Sequence, residues 1–178
     1  MTTGRAQKTW GTDTTATFTP EEDQAAIFVA VDHCFMECVG IHAAPRGTRF
    51  EALEPIRQGV REYLGNFAPG AAQGLTLRHD HGSQYRSHDF QEELAFLGIK
   101  SSPAFVRGLE GNSCAEGFVR ILKENLLWLQ NFATVEDLQQ ALLDFNRTYN
   151  ENWIIPRHGY QTPAQVRRGQ LQSLPLAA

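Results

Sequence analysis

The chain has 178 residues, 42% of them hydrophobic and 20% charged, which suits one globular domain with a short appendage and a core of its own. Sixteen Lys and Arg against 20 Asp and Glu give a net charge of −4, which argues against a simple nucleic-acid binder with a basic footprint. No apolar run approaches a membrane span and the N-terminus lacks a signal-peptide core, so a cytoplasmic protein with no membrane association is expected.

The first strand is read at Lys8–Phe18, rich in Thr and aromatics, and a buried second strand at the apolar run Ala25–Val31. A third follows at Glu37–Ala44, and the short links predict antiparallel pairing. Cys34, Cys38 and Cys114 form no zinc pattern and read as buried free thiols. Thr48 caps a helix over Thr48–Leu64, with Phe50, Leu53, Ile56, Val60 and Leu64 at helical spacing. A fourth strand, Leu75–His79, ends at Asp80. Ser87 then caps a helix that Gly98 closes, and Ile99–Phe105 forms a fifth strand. Val106–Ser113 reads as a flexible loop. Cys114–Leu129 is a long helix with Phe118, Ile121, Leu122, Asn125 and Leu129 inward, and Thr134 caps a further helix, Val135–Tyr149. This order predicts an α/β fold, a mixed five-stranded sheet flanked by helices.

Three acids occupy unusual places. Asp13 interrupts the first strand, Asp80 ends the fourth, and Glu116 lies in the first turn of a helix behind a glycine-rich loop. If the first and fourth strands are neighbours and the Glu116 helix crosses them, the three carboxylates converge. Clustered carboxylates raise one another's pKa values unless a cation joins them, and hard oxygen ligands suit Mg²⁺ or Mn²⁺. Two such ions about 4 Å apart activate an attacking oxygen and stabilise the leaving oxygen of a phosphodiester. Each acid also has a plain reading: an edge-strand acid, an Asx turn before Gly82, and a helix-dipole acid.

Four segments resemble one family. Trp10-Gly11-Thr12-Asp13, His79-Asp80-His81-Gly82-Ser83-Gln84-Tyr85, and Gly111-Asn112-Ser113-Cys114-Ala115-Glu116 with Leu122-Lys123-Glu124 are similar to the three acidic motifs of the integrase catalytic core, shared by insertion-sequence transposases and retroviral integrases of the DDE superfamily. Thirty-five residues separate Asp80 from Glu116, the interval typical of these enzymes. Tyr149-Asn150 and Pro156 through Ala164 resemble the family's C-terminal signature.

The resemblance implies an RNase H-like fold, with residues 1–155 as the catalytic core and 156–178 as a C-terminal extension. It implies DNA strand cleavage and strand transfer dependent on Mg²⁺ or Mn²⁺, with Asp13, Asp80 and Glu116 as catalytic metal ligands. Element ends and target DNA are the implied partners, bound by a homo-oligomer, at least a dimer. It also suggests phosphate contacts for Arg120 and Lys123 on the Glu116 helix face; a solvated ion pair is an equal reading for Arg120. For Gln84 and Tyr85, DNA contact and plain packing both stay open. A nuclease that only hydrolyses and a non-catalytic remnant are the alternatives.

Gly117 departs from the family's larger residue, and no room is left before Lys8 for a helix-turn-helix, so an isolated or truncated core is expected. Of His79 and His81, one imidazole is expected near the site and the other in a structural role, rather than a zinc pair. Asp32 reads as a turn residue outside the triad.

Overall fold

A computed structural model describes residues 8–103 and 112–173. The strands are β1 (Thr9–Thr19), β2 (Asp23–Asp32), β3 (Cys38–Ala44), β4 (Thr76–His79) and β5 (Lys100–Pro103). The helices are α1 (Arg49–Tyr63), α2 (Ser83–Arg86), α3 (His88–Leu97), α4 (Ser113–Leu122), α5 (Val135–Asn152) and α6 (Pro163–Ser173). A π-helical turn, Lys123–Leu127, extends α4, and a 3₁₀ turn, Pro156–His158, precedes α6. Most of the loop expected at Val106–Ser113 and the end of the strand expected to reach Phe105 lie outside the described residues.

One mixed sheet runs in the order β3-β2-β1-β4-β5. β1 pairs antiparallel with β2 along nearly its whole length, from Trp10↔Asp32 to Thr19↔Asp23. Its parallel pairing with β4 is short, Thr9↔Thr76 to Gly11↔Arg78. Beyond Gly11 that side of β1 has no strand beside it among the described residues, so the pairing ends just before Asp13.

β2 explains why the sheet is covered on both sides. Ile27, Val29 and Val31 pack into one apolar cluster with Phe118, Leu122, Leu138 and Leu142, from the α4 and α5 side. Phe28 and Ala30 pack into the other with Leu53, Ile56 and Phe90, from α1 and α3. An apolar run without alternation is what two buried faces require. The helix starts obey their capping residues. Thr48 accepts from the Glu51 N–H, Ser87 from the Phe90 N–H, and Thr134 forms a reciprocal capping box with Asp137. Gly98 ends α3 in the left-handed conformation, φ 77°. Cys34, Cys38 and Cys114 are buried free thiols.

The π-helical turn corrects the expected inner face of α4. Its extra residue rotates the helix beyond Leu122, so Leu126 and Leu127 are buried while Asn125 is exposed and Leu129 is 70% exposed. Phe50 likewise sits half exposed at the start of α1 rather than in the core. α6 has no counterpart among the expected elements. It docks on α5 and is tied down by Arg167, which pairs with the buried Glu37 carboxylate at 2.8 Å. Among the described residues no helix is long and apolar enough to cross a membrane.

Candidate active site

Asp13 and Asp80 each stand two residues beyond the paired Gly11 and Arg78, at the point where β1 and β4 part. Asp13 is half-buried within β1, and the Thr14 N–H donates to its Oδ1 at 2.8 Å. Burial pushes its carboxyl from the ordinary 3.8 up to about 6. The Thr14 N–H opposes this; the negative charges of Asp80 and Glu116 add to it, and Lys123 draws it down. Asp80 from the β4–α2 turn, Glu116 from α4 and Lys123 from the π-helical turn thus lie within electrostatic reach of Asp13.

Asp80 is exposed, and its Oδ1 accepts from the Gly82 N–H at 2.7 Å, the Asx turn that its sequence context also allows. Glu116 is exposed in the first turn of α4, where the helix dipole favours a carboxylate. Lys123 begins the π-helical turn seven residues on and is half-buried. Among the described residues, no group of three or more His, Cys, Asp or Glu side chains is arranged to hold a metal ion. Three like charges share a field here without forming a closed cage. As a donor set they suit a hard cation: oxygen ligands only, with one acid held half neutral near pH 6 by burial and the neighbouring negative charge.

The flanking residues divide. Arg120 is exposed and lies 3.9 Å from Glu124, the solvated i,i+4 pair. Gln84 is half-buried beside Gly82 and lines a groove of about 690 Å³ with Thr14, Thr15, Arg46 and Gly47. Tyr85 is fully buried, edge-on to Phe90 at 5.3 Å between ring centroids, so plain packing is the role its burial supports. His79 is the structural imidazole of its pair: it is buried, with Nδ1 on the Asp80 carbonyl and Nε2 on the Ser101 hydroxyl. His81 is exposed. Burial, with the charges of Arg78 and Arg157, lowers His33 to about 4 and keeps it neutral. Asp32 is buried and accepts from the Cys34 and Phe35 N–H groups and from Trp10 Nε1, bonds that fix the β2–β3 turn.

No protein-family model matches the chain. Among curated proteins it is similar to "Putative transposase InsD for insertion element IS2E" of Escherichia coli K12, 24% identical over 152 residues, which cover 82% of this chain and 66% of the relative. It is equally similar to "Transposase InsD for insertion element IS2A/D/F/H/I/K" of Escherichia coli, 24% identical over 152 residues, covering 82% of this chain and 48% of the relative. The chain thus spans between about half and two thirds of the length of these relatives. Among solved structures, the catalytic core domain of BIV integrase superposes with TM-score 0.69 at 20% identity, covering 94% of this chain and 97% of that one. The HTLV-2 integrase catalytic core domain, a dimeric form in complex with magnesium, superposes with TM-score 0.66 at 20% identity, covering 90% and 96%. The fold is therefore the RNase H-like fold of the integrase catalytic core, and the curated proteins that the chain is similar to are insertion-element transposases.

Proposed function

We propose that this chain is the catalytic core of a transposase that cuts DNA at element ends and joins those ends to target DNA. The observation that carries this reading is the placement of Asp13 and Asp80 side by side where β1 and β4 part, within electrostatic reach of Glu116 and Lys123. The similarity to InsD transposases supports the same reaction class.

Asp13, Asp80 and Glu116 would hold Mg²⁺ or Mn²⁺; a relative in fold, the HTLV-2 core, is described in complex with magnesium. When bound, the cation activates the attacking oxygen and stabilises the leaving oxygen of the phosphodiester. The chain's own contribution is placement and charge. The β1–β2 ladder holds Asp13, Asp80 sits in the Asx turn that Gly82 closes, and Glu116 sits in the first turn of α4. Lys123, beside Asp13, is suited to a DNA phosphate. Gln84 borders the groove next to Thr14, where a strand leaving the site can run. The reading includes a homo-oligomer, at least a dimer, working in the cytoplasm, with residues 1–155 as the catalytic unit and 156–178 as its extension.

The test is Mn²⁺-dependent nicking and strand transfer on DNA carrying the element's ends. Both products are expected from the wild-type chain. Nicked product alone would reduce the reading to hydrolysis, and no carboxylate-dependent product would remove it.

A further inference from the structure

We propose that Asn112 is a positioning residue that holds Glu116 opposite Asp13 by clamping the start of α4 to β1. The inference rests on the catalytic reading above and adds a residue to it.

Asn112 occupies the N-cap position of α4. An Asn there ordinarily accepts a hydrogen bond from the second or third N–H of its helix. At α4 its side chain makes no such bond. Its Nδ2 donates instead to the Thr12 carbonyl, one residue before Asp13. Both residues are buried, Asn112 to 3% exposure and Thr12 to none. The Asn112 backbone carbonyl also accepts the Glu116 N–H at 3.1 Å. One residue therefore ties the strand bearing Asp13 to the helical turn bearing Glu116.

Gly11 makes the approach possible. A Cβ on Gly11 would overlap Asn112 Oδ1 and come within 2.7 Å of His33 Nε2 and 3.4 Å of the Ala115 methyl. Any side chain there would displace the Asn112 amide from its place against β1. On the other face of β1 the Thr12 hydroxyl and the Tyr85 hydroxyl face each other, short of hydrogen-bond geometry. Tyr85 lies five residues past Asp80. Thr12 is thus the residue on which the segments of all three acids meet.

The arrangement is not one that stability alone would favour. Asn112 Oδ1 and His33 Nε2 are both buried without a hydrogen-bond partner. Buried unpaired polar atoms destabilise a fold, and such departures from local rules concentrate at functional sites. A plain apolar contact between α4 and β1 would avoid both.

The experiment measures Mn²⁺ binding to the whole chain by calorimetry, with Asp13→Asn as the control that assigns heat to the site. Three variants are compared with wild type: Asn112→Ala, Asn112→Ser and Gly11→Ala, each checked for folding by circular dichroism. Ser keeps a good neutral N-cap but is too short to reach the Thr12 carbonyl. Asn112→Ala and Asn112→Ser are expected to weaken Mn²⁺ binding by about 10-fold or more, the usual effect of losing a residue that orients a ligand. Gly11→Ala, which displaces the amide without removing it, is expected to do the same and tests the link even where Asn112→Ala fails to fold. Nicking by each variant should require correspondingly more Mn²⁺ and recover at saturation.

Wild-type affinity in Asn112→Ser would identify a helix cap and overturn the proposal. Unchanged affinity in all three variants would also overturn it. Wild type showing no Asp13-dependent heat would overturn the catalytic reading itself, and the proposal with it.

Discussion

Asp13 and Asp80 each lie two residues past the Gly11–Arg78 pair, at the place where β1 loses its parallel neighbour. Among the described residues β1 continues from there paired only with β2, so the two carboxylates stand where the parallel pairing ends. Burial and the nearby negative charges hold Asp13 at about 6. The ionised Asp13 therefore costs the folded state stability, chiefly through burial, and that cost is measurable.

Removing the Asp13 charge should stabilise the metal-free protein. The folded carboxyl titrates at about 6 and the unfolded one at 3.8, so between these values the folded state holds more protons. Stability therefore rises as pH falls from above 6 toward 4. At pH 8 both states are ionised and the folded state bears a penalty of about 2 kcal/mol, after a discount for partial exposure. Asp13→Asn in EDTA should melt about 4–8 °C above wild type at pH 8, and the difference should vanish near pH 4. Calorimetric melting across that range checks it. A gain that is independent of pH would contradict the charge argument.

Arg167 should matter to stability far more than its position on the last helix suggests. It pairs with Glu37, which is 2% exposed and also accepts the Tyr63 hydroxyl at 3.2 Å. Arg167→Ala strands a buried carboxylate and should cost about 3 kcal/mol in urea unfolding. Replacing both partners, Glu37→Gln with Arg167→Met, should cost clearly less. Equal losses would mean that packing of α6, not the charge, is what Arg167 supplies.

Lys123 and Arg120 should separate in DNA binding. Lys123 acts on Asp13, whereas Arg120 is exposed and paired with Glu124. On one fixed duplex, Lys123→Ala should lower the slope of log affinity against log salt by about 1, the loss of one phosphate contact. Arg120→Ala should leave the slope nearly unchanged. A salt titration of each variant decides between them.

Gly117→Ala should stabilise α4. An added Cβ at Gly117 meets no atom within 4 Å, so no clash opposes the better helix former. The gain should be about 0.5–1 kcal/mol by thermal unfolding. A loss would show that the position needs glycine for a reason beyond space.

Much of this architecture is legible in the sequence because its elements announce themselves locally. Thr48, Ser87 and Thr134 cap the helices they are expected to cap, and the apolar run in β2 is buried on both faces. The neighbouring placement of β1 and β4 agrees with strand order. The π-helical turn is not legible, because one extra residue in a helix leaves no pattern in Lys123–Leu127; it turns Leu129 outward and Leu126 inward. α6 does carry a signal, the capping box of Thr162 with Gln165 around Pro163, and a weakly apolar helix hides it. Tyr85 and Asn112 resist for another reason. A Tyr after a turn and an Asn before a helix each have an ordinary surface role, and only the fold reveals that both are buried beside Thr12.

We propose Asp13, Asp80 and Glu116 as one metal-dependent DNA-processing site. The most direct measurement is Mn²⁺-dependent nicking and joining of DNA bearing the element ends, comparing wild type with Asp80→Asn in protein that is folded and bound to that DNA. Nicked and joined products are expected from wild type, with a loss of about 1,000-fold or more in Asp80→Asn, a charge-stabilising group removed from the reacting centre. Equal product from the two proteins would contradict it.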